Sequence, residues 1–156
     1  MGLRAANDFV EKHHRHSART AADGGKFAIG LEHEGKIIGV GIVGRPVARL
    51  LNDNMTAELL RCCVSPTAPK GSTSKLYSRC KRIWQLMGGI KFVTYTLKRE
   101  SGASMRGAGL KEPAAEVAQQ QWTRTNRPRK ERAIYEESKV RWQEDLPLIP
   151  IGDHSR

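Results

Sequence analysis

The chain has 156 residues, which is enough for one sizeable hydrophobic core and leaves little room for a second full domain. Apolar residues make up 38% of it, are concentrated between Phe27 and Leu110, and so argue against a disordered chain. The net charge of +11 predicts attraction to polyanions, most plausibly nucleic acid, with simple solvation of the surface as the alternative.

The cysteine pattern and the absence of long apolar runs bear on the location of the protein. Cys62, Cys63 and Cys80 lie in apolar surroundings and are odd in number, which is typical of reduced thiols in a cytosolic protein. No CxxC pair is present, so a zinc ribbon is excluded. Without a signal region or a run of about 18 apolar residues, we expect a cytoplasmic protein that makes no membrane contact.

The first half of the chain predicts one helix and three strands. Apolar residues at helical spacing predict a helix from about Leu3 to His16. The segments "KFAIGLE" and "KIIGVGIVG" flank the turn "HEGK" and predict a hairpin whose second strand is central and ends at Pro46. The segment "TAELLRCCV" is predicted as a third core strand.

The second half begins with the strongest helical signal. In "GSTSKLYSRCKRIWQLMGG" the apolar residues form one stripe, Ser72 or Thr73 is a candidate cap, and Gly88 and Gly89 end the helix. A buried strand, "IKFVTYTL", and a short helix, "SGASMRGAGL", follow. Beyond Leu110 the signal weakens to a candidate edge strand, "EVAQQQWT". We therefore predict a domain over residues 1–125 and a basic, partly ordered arm over residues 126–156.

A basic block surrounds the loop before the strong helix. From Leu59 to Arg99 the chain contains nine Lys or Arg residues and no Asp or Glu. The loop "SPTAPKGSTSK" lies at its centre, where the backbone N–H groups of the helix start and the helix dipole favour a phosphate. The alternative is a solvated helix face with serine as a cap, since neither a Walker A motif nor GxGxxG is present.

The order of these elements resembles the second half of GNAT-type acyltransferases. The segment "GGIKFVTYTLKRESGASMRGAGL" is similar to the part where those enzymes close the acyl-CoA groove, and the resemblance covers about residues 26–110. More narrowly, "FVEKHHRH", "GIVGRPVAR", "AELLRCCV", "SKLY", "FVTYTL", "ESGASMRGAGL" and "RPRK" resemble a family of phage and prophage GNAT-like proteins related to the phage Mom DNA-modification protein.

The resemblance implies a fold, a cofactor and an acceptor. The fold would be an α/β GNAT-like acyltransferase fold, with a mixed central sheet of splayed strands flanked by helices. The cofactor would be acetyl-CoA or a related acyl-CoA. The acceptor would be a base amine in DNA, as with adenine in the Mom case, modified by a phage-encoded protein that protects DNA from host restriction.

The cofactor residues that the resemblance implies lie at the end of the third strand and in the following loop: Cys63, Val64, Lys70, Gly71, Ser72, Thr73 and Ser74. The loop departs from the Q/R-x-x-G-x-G/A pattern that GNAT enzymes usually use for pyrophosphate. Met105 also stands roughly where many of them have a tyrosine that protonates the thiolate.

Glu58 is the candidate base, because the resemblance implies that its strand splays from a neighbour and admits the thioester. Burial raises the pKa of a carboxylate and so suits it to accept a proton from an amine. Arg61 should point to the opposite side of the pleat unless a bulge realigns it, and its guanidinium suits a phosphate or a base edge. The alternative is architectural, with Glu58 paired to Arg45 or Arg49.

Two further residues are candidates for catalysis. Tyr95, mid-strand between two threonines, is a candidate acid for the thiolate or a stacking surface for a base, and core packing explains it equally well. Ser104 on the short helix is a candidate hydrogen-bond donor to the thiolate.

The segment "HHRH" raises the question of a metal. His13 and His16 lie one helical turn apart and permit two ligands, but no third ligand is identified. A cationic helix end is the simpler interpretation, and a histidine base is another. The Mom resemblance adds iron as a candidate.

The late part of the chain is rich in cations and tryptophan. Seven Lys or Arg residues against three Glu lie between Trp122 and Trp142, which favours phosphate contacts and base stacking over a solvated tail. We expect double-stranded DNA as partner and leave a dimer open. The predicted nucleic-acid contacts are Arg45, Arg49, Arg79, Arg124, Arg127, Arg129 and Lys130.

Two other functions fit the sequence. An acetyl-CoA-dependent N-acetyltransferase that acts on a host protein shares the groove and needs no duplex DNA. A non-catalytic nucleic-acid-binding protein on a degenerate GNAT fold is suggested by the atypical loop and by Met105.

Overall fold

The computed structural model describes residues 1–14, 20, 25–110, 113–117 and 138–149. In chain order the elements are α1 (Leu3–His13), β1 (Gly25–His33), β2 (Lys36–Gly44), a 3-10 turn (Arg49–Leu51), β3 (Thr56–Val64), α2 (Ser72–Leu86), β4 (Lys91–Leu97), α3 (Ala103–Gly107), β5 (Ala115–Val117) and β6 (Lys139–Asp145).

The six strands form one mixed sheet in the order β1-β2-β3-β4-β6-β5. Neighbouring strands are antiparallel except β3 and β4, which run parallel and are connected through α2. The predicted hairpin of β1 and β2, the central position of β2 and the third core strand are all confirmed. The parallel pair lies at the middle of the sheet, and α2 leads from the end of β3 to the start of β4.

The two faces of the sheet carry separate cores. On the first face, α2 packs over a large cluster in which Phe92 and Trp142 are buried, and Tyr77 of the helix meets Phe92 edge to face with ring centroids 5.4 Å apart. On the second face, α1 packs over β1 and β2, with Ala6 and Val10 fully buried against Val40. We call these the α2 face and the α1 face.

Helix α1 is shorter than the sequence predicts. It ends at His13 because His14 already has extended backbone angles, with φ −82 and ψ 124. His16, the predicted last residue of the helix, lies outside the described residues. In the described part of the chain, no helix is long and apolar enough to cross a bilayer.

The start of α2 also differs from the prediction. Gly71, with φ +88, is the N-cap residue, and neither Ser72 nor Thr73 caps the helix with its side chain. The Ser72 hydroxyl instead donates to the carbonyl of Pro69 at 2.7 Å, closing the turn before the helix. The left-handed conformation at this point favours glycine.

The sheet takes in residues from beyond the predicted domain boundary. Strand β6 pairs with β4 over seven residues and lies inside the sheet, with β5 at its edge. The Trp142 side chain is 1% exposed, and its indole N–H donates to the Thr96 hydroxyl at 2.9 Å. The domain therefore extends at least to Asp145, well past the boundary at residue 125, because burial of alternate β6 side chains completes the core.

Candidate active site

The parallel ladder between β3 and β4 stops in the middle of the sheet. Only three residue pairs join the strands, and the last is Glu58 with Val93. Both strands continue, and the hydroxyl of Thr94 donates to the Leu59 carbonyl at 3.2 Å, where a main-chain bond would otherwise be expected. The predicted splay is therefore confirmed, and Glu58 lies where the strands begin to part.

A bulge at Leu60 decides which way the next residues point. Ile42 of β2 pairs with Arg61, but its neighbour Val43 pairs with Leu59, so Leu60 is an extra residue on β3. One extra residue shifts the alternation of side chains by one position. Glu58 and Arg61, three apart, consequently share the α1 face, as the bulge alternative allowed.

Glu58 is a buried carboxylate held by a backbone donor. Its side chain is 6% exposed, and Oε2 accepts a hydrogen bond from the Val47 N–H at 2.8 Å. Burial raises the pKa of Glu58 to about 7, although the Val47 N–H and the charges of Arg61 and Lys139 act in the opposite direction. Such a carboxylate can exchange a proton near neutral pH.

Neither of the alternative partners proposed for Glu58 takes part in this arrangement. Arg45 and Arg49 lie in the connection between β2 and β3, and both side chains are exposed. The same connection supplies the Val47 N–H, so it positions Glu58 through its backbone.

Tyr95 joins Glu58 on the α1 face. It lies two residues beyond Val93, the partner of Glu58, and directly opposite Arg141 of β6. Burial raises the pKa of Tyr95, and the charge of Glu58 raises it further, whereas Arg141 lowers it through its charge and a hydrogen bond. The structure thus brings the predicted base and the predicted acid together.

Lys139 and Arg141 are site residues that the sequence analysis missed. They alternate along β6 with the buried Val140 and Trp142, so both project from the α1 face. The signal was present as a period of two in "KVRWQED", but the surrounding charges led us to assign this segment to an arm.

The predicted phosphate loop lies against the short helix α3. The Ser74 hydroxyl donates to the Ser104 carbonyl at 2.9 Å, which ties the start of α2 to α3. Thr73 and Ser74 lie in the first helical turn, whose N–H groups have no carbonyl within the helix to bond. Gly71 has open space around its Cα, and the Lys70 side chain is exposed. These groups suit a pyrophosphate.

The edge of β3 that faces the splay also offers backbone groups. Ser65 N–H donates to Ile38 of β2, so by the antiparallel alternation the N–H and C=O groups of Cys62 and Val64 point away from β2. The sequence analysis predicted that Cys63, together with Val64, contacts the cofactor. The Cys63 side chain is 4% exposed and packs in the core under α1, and the backbone groups at this edge belong to Cys62 instead.

The side chains of α3 differ in exposure. Ser104 is half-buried, and its carbonyl is used by Ser74. Met105 is 4% exposed and belongs to the core on the α2 face, so it packs rather than facing the splay. Arg106 lies over the Trp142 ring, with its guanidinium carbon 5.5 Å from the ring centroid.

The described part of the chain gives no support for a metal. Within it, no three His, Cys, Asp or Glu side chains converge on one point. His13 packs against Phe9, with ring centroids 4.4 Å apart, and His16 lies outside the described residues.

Some of the predicted nucleic-acid contacts lie within the described residues and others lie outside them. Arg45, Arg49 and Arg79 are described and exposed. The four predicted contacts of the late segment lie outside the described residues: Arg124, Arg127, Arg129 and Lys130.

No family model and no curated protein matches this sequence, but many solved structures match its fold. The ribosomal-protein-S18-alanine N-acetyltransferase of Escherichia coli matches with a TM-score of 0.64 at 12% identity, over 96% of this chain and 91% of that one. An IAA acetyltransferase of Bacillus cereus matches with a TM-score of 0.67 at 15% identity, over 94% and 96%. A Bacillus subtilis acetyltransferase in complex with CoA matches with a TM-score of 0.59 at 13% identity, over 92% and 86%. The predicted GNAT-like acyltransferase fold is confirmed.

Proposed function

We propose that this chain is a phage-encoded, acyl-CoA-dependent transferase that modifies a base amine in DNA, with adenine the expected base, and so protects the DNA from host restriction. The observation that carries the transferase part is the position of Glu58. A buried carboxylate with a pKa of about 7 lies where the two parallel strands part.

The residues present fit a CoA-type cofactor. The first-turn N–H groups of Thr73 and Ser74 suit the pyrophosphate, and the edge groups of Cys62 and Val64 suit the amide-bearing arm of the cofactor. A fold neighbour was solved with CoA bound. When bound, the thioester supplies an activated acyl carbon and a thiolate leaving group.

The chain's own residues would manage the protons of the transfer. In the reaction an amine nitrogen bonds to the acyl carbon and the carbon–sulfur bond breaks. Glu58 accepts the proton that the amine loses. Tyr95 is the candidate donor of a proton to the thiolate, because it lies on the same face with its phenol neutral at physiological pH. Ser104 contacts the phosphate loop through its carbonyl and acts by positioning α3.

A polyanionic acceptor is supported by charge. The chain has a net charge of +11, and Arg45, Arg49 and Arg79 present exposed guanidinium groups. Phosphate contacts of this kind give binding that weakens steeply with salt. The Mom resemblance provides the base amine as the acceptor group.

The direct test is mass spectrometry of nucleosides from the DNA of cells that express the protein. We expect a new adenine adduct with the wild-type chain and none with Glu58→Gln. Unmodified DNA, together with acetylation of a host protein, would overturn the DNA assignment.

The second candidate is a protein N-acetyltransferase, favoured by the name of the Escherichia coli neighbour, which acts on a ribosomal protein. A gel shift on duplex DNA at two salt concentrations separates the two. Tight binding that is lost at high salt supports the DNA acceptor. Calorimetry with acetyl-CoA addresses the third candidate, because the absence of binding by a folded protein would favour a non-catalytic nucleic-acid-binding protein.

A further inference from the structure

Besides Lys91, which pairs with Asp145, three cationic side chains of the described strands share the α1 face with Glu58. The bulge brings Arg61 to this face, and Lys139 and Arg141 occupy alternate positions on β6. Among the described strand residues, the carboxylate nearest to Glu58 on the α1 face, judged by strand register, is Asp145. It is 79% exposed at the far end of β6 and lies 3.5 Å from the Lys91 ammonium. Within the described part of the sheet, cations therefore outnumber carboxylates around Glu58.

The cations are close enough to affect one another. Burial lowers the pKa of Lys139, and the charge of Arg61 lowers it further, whereas Glu58 raises it. Lys139 is thus close enough to both Arg61 and Glu58 to feel their charges, so these side chains surround one place on the α1 face.

Arg141 adds hydrogen-bond geometry to the charge. It lies directly opposite Tyr95 on the neighbouring strand, close enough to lower the Tyr95 pKa that burial and the charge of Glu58 raise. Its Nε is buried and has no acceptor among the described residues. A guanidinium beside a phenol presents several donors to one place, which suits the oxygens of a phosphate.

We infer that Arg61, Lys139 and Arg141 form an anion subsite that holds a phosphate of the acceptor beside the amine that reacts. This inference rests on the proposed role of Glu58 as the base. It specifies an acceptor in which amine and phosphate belong to one nucleotide unit. It also means that the site rejects polycationic amines.

The test compares two ligands that differ by one phosphate. Binding of deoxyadenosine and of deoxyadenosine 5′-monophosphate to the wild-type protein is measured by calorimetry, with the protein saturated with CoA so that its pyrophosphate site is filled. We expect the monophosphate to bind about tenfold or more tightly, the contribution of a charged hydrogen bond. Spermidine, a polycation, should not compete.

Arg141→Met, which keeps the length and removes the charge, should abolish the preference for the monophosphate, and Arg141→Lys should keep part of it. Arg4→Met is the matched control. Arg4 is an exposed arginine at the start of α1, which lies over β1 and β2, so the preference should be unchanged. Thermal unfolding of each protein establishes that it is folded, and Lys139→Met provides a second variant if Arg141→Met is not.

The inference is overturned if neither ligand binds, if both bind equally, or if the preference survives in Arg141→Met and Lys139→Met. It stands independently of the DNA assignment. A phosphate preference without DNA modification would keep the subsite and exclude only DNA as the acceptor. Parallel titrations with phosphoethanolamine and β-alanine then distinguish a small phosphate-bearing amine from a carboxylate-bearing one.

Discussion

Replacing Glu58 by glutamine should change the pH dependence of both stability and activity. In the folded protein the carboxyl has a pKa of about 7, against an ordinary value of 4.5. Between these values the native state keeps a proton that the unfolded chain has released. The free energy of unfolding therefore falls as pH rises through this window.

The size of the effect follows from the shift. Each pKa unit corresponds to about 1.36 kcal/mol, so ionising Glu58 in the folded state costs about 3 kcal/mol by pH 8. Glutamine has no charge to bury, and its side-chain oxygen can still accept from the Val47 N–H. We expect Glu58→Gln to be about 3 kcal/mol more stable relative to wild type at pH 8 than at pH 4.5.

Denaturant unfolding of both proteins at several pH values measures this difference, because titrations elsewhere cancel between them. Glu34→Gln is the control. Its side chain is 85% exposed in the turn between β1 and β2, and the substitution should leave the pH dependence unchanged. Parallel stability curves for wild type and Glu58→Gln would refute the reasoning that burial controls this carboxyl.

Activity provides the second measurement of the same group. Acyl transfer from acetyl-CoA, followed by release of the free thiol, should rise with pH to a plateau with a midpoint near the Glu58 pKa of about 7. Loss of a general base lowers kcat by about 10²–10⁴-fold, and the remaining activity should lose this midpoint. A wild-type midpoint near 4.5, or a fully active Glu58→Gln, would remove Glu58 as the base.

Three further substitutions test the fold and the cofactor site. Gly71→Ala places a Cβ on a backbone with φ +88, and no atom lies within 4 Å of that Cβ. The cost is therefore backbone strain of about 1–2 kcal/mol rather than a clash, and calorimetry should show weaker acetyl-CoA binding. Trp142→Ala should lower the free energy of unfolding by about 3–5 kcal/mol in denaturant, and a value below about 1 kcal/mol would mean that β6 is not part of the core. Gly41→Ala would bring its Cβ within 2.6 Å of Cys80 Sγ and should lower the free energy of unfolding by about 1–3 kcal/mol. In a double-mutant cycle, adding Cys80→Ala should recover part of that lost stability.

The elements predicted correctly are those whose signal is local. The apolar period of 3.6 identified α2, and the nearly continuous apolar run from Lys36 to Gly44 identified a strand buried on both sides. These two conclusions do not depend on which strands become neighbours. The role of Glu58 as base does, and it came from the family resemblance, which implies that its strand splays from a neighbour.

What the sequence could not provide depends on pairing between distant segments. The bulge at Leu60 exists only as a register difference between β2 and β3, and nothing in "AELLRCCV" identifies which residue is the extra one. Strand β6 joins the sheet because Val140 and Trp142 are needed to cover the core on the α2 face. Its charged alternate residues hid that role, and they are the ones that complete the site.

The bulge links the stability of the fold to the chemistry of the site. Ala57 and Leu59 point into the apolar core on the α2 face. In a regular strand Arg61 would follow them, burying a guanidinium where an unpaired charge is costly. The extra residue turns Arg61 to the α1 face, returns Cys62 to the α2 side and puts Cys63 under α1. Avoiding a buried charge in one core thus places a cation beside Glu58, where its positive charge adds to the Val47 N–H in limiting the rise of the carboxyl pKa that burial causes.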